Sequence, residues 1–244
     1  MQKVRRMRKL AFFVEGQTDA IFVSRLLEEI ADKHQVIIER RQASGGRKRI
    51  RTLELVERSE DMGQEYYVLI YDCMGDSTVT SDICEQYDSL VRDNYQAIVG
   101  IRDVYPKVSY KDIPKLRQGL ASGLKTKPIE VVFALAIMEI EAWFIAEHTH
   151  FTRISPNLTL ERIIAGTGFD PSQDNIELRP HPSGDLCTIY RLEGFVYRKK
   201  RGNVERTVNA LDYARLYLEL GQKIPDLQRV LDCIDSFLSH DAGV

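Results

Sequence analysis

Apolar and polar positions along this chain follow two rhythms. Short, densely apolar runs recur at 10–14, 36–39, 66–71 and 97–101, and stretches with apolar residues three and four apart lie between most of them. Short apolar runs bounded by turn residues predict buried strands, and a 3.6-residue rhythm predicts amphipathic helices. The first helix is expected over 18–32, with Ile21, Phe22, Leu26, Leu27 and Ile30 on one face, and others over 78–94 and 114–124. Ala43, Ser44, Gly45 and Gly46 read as a basic loop leading into a helix near Leu53 and Val56. Residues 130–137 form either a fifth strand or the start of a buried helix. This alternation predicts an α/β fold, a parallel sheet of β-α-β units flanked by helices.

Beyond Thr149 the texture changes. Pro156, Pro171, Pro180 and Pro182, with Gly166, Gly168 and Gly184, predict a loop-rich stretch. Two amphipathic helices follow, one on Val208, Leu211, Ala214 and Leu218, the other on Leu227, Val230, Leu231, Ile234, Phe237 and Leu238. The chain therefore divides into an α/β domain over 8–150 and a helical C-terminal extension over 151–244 packing on it. No internal repeat or low-complexity segment interrupts either part.

Charge adds one feature to this outline. The net charge is only -2, yet 15 of the 34 basic residues fall in three clusters: Lys3, Arg5, Arg6, Arg8 and Lys9; Arg40, Arg41, Arg47, Lys48, Arg49 and Arg51; and Arg198, Lys199, Lys200 and Arg201. Each cluster is either a solvated face or a local polyanion site. The four cysteines have no metal-ligand spacing, which fits a reducing cytoplasm. The apolar run 10–14 is too short for a signal-peptide core, and the longest run, 129–138, stops at Glu139 and Glu141, short of a membrane span.

Ligands of open α/β sheets gather at the carboxyl ends of the strands, and here those ends are acidic. Glu15 follows the first strand, Asp72 the third with Asp76 close behind, Asp103 the fourth, and Glu139 and Glu141 the last apolar run. A single acid after a strand is commonly a helix cap or loop residue. Several converging at one edge repel one another and raise each other's pKa unless a cation sits among them. Magnesium or manganese suits such oxygen ligands and supports phosphodiester chemistry. Gly16 offers a conformation barred to other residues, and the helix opened by Thr18 and Asp19 has free amides able to receive a phosphate.

The segment Glu15-Gly16-Gln17-Thr18-Asp19 after an apolar strand, followed by a strand ending at Asp72, resembles the topoisomerase-primase (Toprim) fold, a Rossmann-like parallel sheet. Glu139-Ile140-Glu141-Ala142-Trp143-Phe144 resembles the OLD-like and RloB-like Toprim proteins of bacterial defence loci. The resemblance covers roughly 8–148. It implies that Glu15 is the catalytic or metal-binding glutamate with Asp19 nearby, Asp72 the first aspartate of the metal pair, and Glu141 or Glu139 the later ligand. The usual second aspartate falls at Met74, so Asp76 or Asp103 takes its place. In OLD-like nucleases a lysine after the core acids supports phosphate chemistry. Tyr197-Arg198-Lys199-Lys200 resembles that segment, and Lys199 is preferred to Lys200, the alternative being a plain basic hairpin that tracks phosphates. Arg47, Lys48, Arg49, Arg198 and Lys200 are the expected nucleic-acid contacts.

The function so implied is a Mg2+- or Mn2+-dependent nuclease cutting DNA or RNA. It would be the toxic effector of an anti-phage, abortive-infection system, held by a separately encoded ABC-type ATPase, and able to dimerise through its last helices. Two other classes compete with it: a binding module docking on the ATPase with vestigial acids, which Met74 favours, and a phosphotransferase working through Asp72. Primase or topoisomerase activity lacks a zinc ribbon and room for a strand-passage domain. His148 and His150 read as surface histidines, Cys73 as a small buried thiol and Trp143 as core. Residues 45–48 lack phosphate-loop spacing.

Overall fold

The strands are β1 (Arg8–Val14), β2 (Val36–Gly46), β3 (Arg49–Arg58), β4 (Tyr66–Asp72), β5 (Ala97–Asp103) and β6 (Glu130–Ala136). In this computed structural model, which describes residues 7–31, 35–46, 49–75, 78–104 and 108–239, they make one sheet in the order β3-β2-β4-β1-β5-β6. Every pairing is parallel except the β2–β3 hairpin. The helices are α1 (Gln17–Ile30), α2 (Val79–Arg92), α3 (Ile113–Ser122), α4 (Glu141–Ala146), α5 (His150–Ile154), α6 (Leu160–Thr167), α7 (Pro182–Arg191), α8 (Arg201–Ala210), α9 (Tyr213–Arg215), α10 (Gly221–Lys223) and α11 (Pro225–Leu238). The result is a Rossmann-like α/β fold with a helical C-terminal region.

β1 is apolar throughout its second half because both its faces are covered. Leu10, Phe12 and Val14 share one core cluster with Ile21, Phe22, Leu26 and Leu27 of α1. Ala11 and Phe13 point the other way, into a second cluster with Val79, Ile83, Tyr87 and Leu90 of α2. Full burial of a side chain such as Phe12 stabilises the fold by about 1.5–3 kcal/mol. The chain thus leaves β1 along one face toward β2 and returns along the other to β5, so connections diverge on either side of β1. Such divergence opens a crevice beyond the strand ends.

Residues 130–136 are a strand, which closes the alternative left by their sequence. The expected loop over 43–46 is the end of β2, and the expected helix near Leu53 and Val56 is instead β3, paired with it. Arg51, Leu53 and Leu55 alternate along it, Leu53 packs on the second cluster, and Arg41 pairs with Leu55 while Arg40 pairs with Glu57, leaving Val56 as the extra residue of a bulge. Ladder pairing with β2 therefore overrides the short helical spacing. Further on, the stretch expected to be loop-rich holds α5, α6 and α7. The helix expected on Val208, Leu211, Ala214 and Leu218 is broken at Leu211, because the Asp212 side chain accepts the Arg215 N–H at 3.0 Å and starts a new helix. A π-helical turn at Leu216–Leu220 then leaves Leu218 exposed.

Trp143, Phe144, Leu186, Tyr190, Val204 and Leu227 belong to the same core cluster as Leu10 and Phe12, so the C-terminal region packs directly on the sheet. Buried Asp226 of α11 reinforces this, pairing with Arg117 of α3 and accepting the Leu135 N–H of β6 at 3.0 Å. No described helix is long and apolar enough to cross a membrane.

Candidate metal centre

β1, β5 and β6 run side by side, Val14 level with Ile101 and Asp103 level with Ala136, so whatever follows them meets at one edge. Glu15 is the next residue after β1, and its Oε2 accepts the Asp103 N–H at 3.0 Å. Asp103, the last residue of β5, uses Oδ1 to accept the Ile140 N–H at 3.0 Å. Asp19 lies in the first turn of α1, where Oδ2 accepts the Gly16 N–H at 3.2 Å. Gly16 itself is extended, with φ -164, a conformation open to any residue, so the special freedom expected of it is not used. The freedom is needed elsewhere. Met138 has φ 67, and the Glu139 N–H reaches back to the Ile137 carbonyl at 3.1 Å. This tight turn after β6 costs on the order of 1–3 kcal/mol and delivers Glu139 and Glu141 to the edge.

Asp103, Glu139 and Glu141 are all buried, and each offers an oxygen within 4.8 Å of the others. Lys199 enters from the C-terminal region: its Nζ is 3.1 Å from Glu139 Oε1, 3.3 Å from Glu141 Oε2 and 3.8 Å from Asp103 Oδ2. Two further residues of the same region donate hydrogen bonds to the acids. Ser183, in the first turn of α7, donates its N–H to Glu139 Oε2 at 2.8 Å and its hydroxyl to Oε1 at 3.0 Å. The Tyr197 hydroxyl donates to Glu141 Oε1 at 2.8 Å.

Crowded charge dominates the electrostatics. Burial first, then Glu15 and Glu141, push Asp19 up to about 8, against the opposing pull of Lys199. Asp103 is raised well above the carboxylate range by burial and by Asp19, Glu15 and Glu141. Burial also raises Glu141, outweighing Lys199 and the Tyr197 hydrogen bond. Glu139 differs, because Lys199 and both Ser183 donors overcome its burial and hold it below the usual range. Burial alone would lower Lys199, but Glu141, Asp103 and Glu139 together raise it.

The donors suit a metal. Asp19 Oδ1 is buried without a hydrogen-bond partner, and Glu141 Oε2 meets Lys199 as an ion pair without a hydrogen bond. All three clustered ligands are carboxylates, which favour a hard dication over one seeking sulfur or imidazole. Among the described residues Asp103, Glu139 and Glu141 share Lys199, with Asp19 and Glu15 acting on Asp103 from beside them.

Of the sequence candidates, Glu15, Asp19, Asp103, Glu139, Glu141 and Lys199 come together. Asp72, at the end of β4 and level with Val14, is not one of the three clustered acids: its Oδ1 accepts the Met74 N–H at 2.9 Å, its Oδ2 accepts from Gln42 Nε2 at 3.2 Å, and Arg40 is a charge that acts on it. Asp76, Arg47 and Lys48 lie outside the described residues, and Arg49 is described only as backbone of β3. Arg198 and Lys200 are exposed beside Lys199. The second and third basic clusters meet nearby, since Glu57 Oε2 is 2.7 Å from Arg40 and 3.4 Å from Arg201. Ser183 and Tyr197 are site residues that the sequence pattern does not single out; only the helix-start pair Pro182-Ser183, with its free N–H, hints at one of them.

His150 is not a surface residue. It is fully buried, its Nδ1 2.6 Å from the Glu147 carbonyl and Nε2 3.2 Å from the Tyr190 hydroxyl, and burial lowers it to about 4. Cys73 is buried, and desolvation pushes its thiol up, away from nucleophilic use. Trp143 is core.

Fold and site together define a Rossmann-like α/β protein with a buried carboxylate cluster at its strand ends. No family model matches the chain, and no curated protein or solved structure matches it either.

Proposed function

We propose that this protein is a Mg2+- or Mn2+-dependent phosphodiesterase that cleaves nucleic acid. The observation that carries the reading is the convergence of Asp103, Glu139 and Glu141 oxygens within 4.8 Å at the crevice beyond β1 and β5. Asp103, Glu139 and Glu141 would hold the ion, with Glu15 and Asp19 beside them. When bound, it supplies charge that polarises a phosphodiester and acidifies an attacking water. The chain's own part is to keep the acids fixed through Ser183, Tyr197 and the Ile140 N–H, and to bring cations to the substrate. Arg198 and Lys200 on the exposed rim would track backbone phosphates, while the Lys199 ammonium offsets charge growing on the transition-state oxygens. On the resemblance of its glutamate segments to defence-locus proteins, the reading extends to a toxic effector restrained by a separately encoded ATPase.

Purified protein with Mg2+ or Mn2+ is expected to hydrolyse single- or double-stranded DNA or RNA, and Glu15→Ala and Glu141→Gln are each expected to lower the rate by on the order of 100-fold or more. Undiminished cleavage by both folded variants would refute the assignment. A second reading, a module that docks on an ATPase with its acids idle, is favoured by one observation: Lys199 already bridges the triad. Absence of any Mn2+ binding in calorimetry would support it.

A further inference from the structure

Lys199 does more in this geometry than wait for a substrate. Its ammonium contacts one oxygen of each of the three acids that would hold the metal, and Glu141 Oε2, fully buried, has that ammonium as its ion-pair partner and no hydrogen bond. Asp19 Oδ1 is likewise buried and without a hydrogen bond. Three buried carboxylates without a counter-charge would be costly, so in the metal-free protein the lysine is what makes the folded site tolerable. A dication binding through the same oxygens meets a positive charge held 3.1–3.8 Å from them. Two such charges a few ångströms apart repel each other, and the partly buried site screens them less than bulk water would. The lysine has a way out, because 44% of its side-chain surface is exposed.

We propose that Lys199 is a resident counter-ion of the acidic centre, which occupies it in the metal-free state and is displaced outward when the divalent ion enters. The inference rests on the metal-dependent reading above and adds to it a built-in competitor that sets the metal concentration at which the site fills. A lysine serving only the substrate leaves metal affinity unchanged or, by steadying the acids, improves it. A counter-ion does the reverse. Losing the metal then returns the site to a paired, folded state rather than to a bare cluster of acids.

Calorimetric titration of the full chain with Mn2+, without substrate, separates these roles. Lys199→Met is expected to tighten Mn2+ binding on the order of tenfold or more, while Lys199→Arg, which keeps the charge, stays near the wild type. Equal or weaker binding by folded Lys199→Met overturns the counter-ion role and leaves the metal site standing. No binding by either wild type or variant overturns both. Should Lys199→Met fail to fold, the wild type still decides: with its lysines labelled as 13C-dimethyl derivatives, the Lys199 methyl resonance is expected to move to the position of solvent-exposed lysines on Mg2+ addition. A resonance unmoved at saturating Mg2+ overturns the proposal.

Discussion

At the scale of single residues, the acids behave as a coupled set, and pH is the variable that exposes it. Asp19 ordinarily ionises near 3.8 but is held at about 8 in the fold, so between those values the folded state keeps a proton that the unfolded state has released. Stability of the metal-free protein is therefore expected to fall as pH rises from about 4 to about 8, and Asp19→Asn to flatten that slope; thermal melts across the range check both. Affinity for divalent ions should climb over the same interval, because ligands must shed protons to bind. Tyr197→Phe tests a different contact. It strips the donor from Glu141 Oε1 and is expected to lower stability by about 1–3 kcal/mol in chemical denaturation, with weaker Mn2+ binding. Glu15, Asp19, Asp103, Glu139 and Glu141 are legible as candidates because acids at strand ends stand out in sequence. Asp72 is equally legible yet sits with Gln42 and the Met74 N–H, because spacing along a strand cannot reveal which side-chain donors flank its end. Ser183 and Tyr197 are illegible for the converse reason: neither residue type announces a carboxylate partner far away in sequence.

At the scale of elements, the parallel strands are readable from their apolar runs, but their ends are not: β4 and β5 extend to include Asp72 and Asp103, and β2 runs on to Gly46 through the stretch read as a loop. β3 escapes such reading because its Leu53 and Val56 have helical spacing, while the information that makes it a strand lies in β2. Gly100 of β5 shows how tightly these elements fit. A Cβ there would meet Phe133 Cε1 of β6 at 2.7 Å and Ile83 Cδ1 of α2 at 3.1 Å. Gly100→Ala is expected to destabilise by about 1–3 kcal/mol, measured in urea, through overpacking between β5, β6 and α2. Because β5 ends at Asp103 and β6 leads into the turn that delivers Glu139, the same substitution should loosen metal binding as well.

At the scale of the whole molecule, Arg40 of the second basic cluster and Arg201 of the third, far apart in sequence, meet on Glu57. On the proposed function, such a meeting of basic clusters would let the protein hold a polyanion by its backbone while the reacting bond is brought to the acids. Arg198→Ala combined with Lys200→Ala is expected to weaken binding of every nucleic-acid sequence alike and to lower the slope of log affinity against log salt by about 1 for each phosphate no longer neutralised; fluorescence anisotropy over a salt series measures it. Order of synthesis adds a last consequence. Glu15, Asp19, Asp103, Glu139 and Glu141 all leave the ribosome before Ser183, Tyr197 and Lys199 are made. A nascent or prematurely terminated chain therefore carries the acids of the centre with neither their lysine nor their clasping donors, and the arrangement is complete only after the helical C-terminal region has been translated and packed on the sheet.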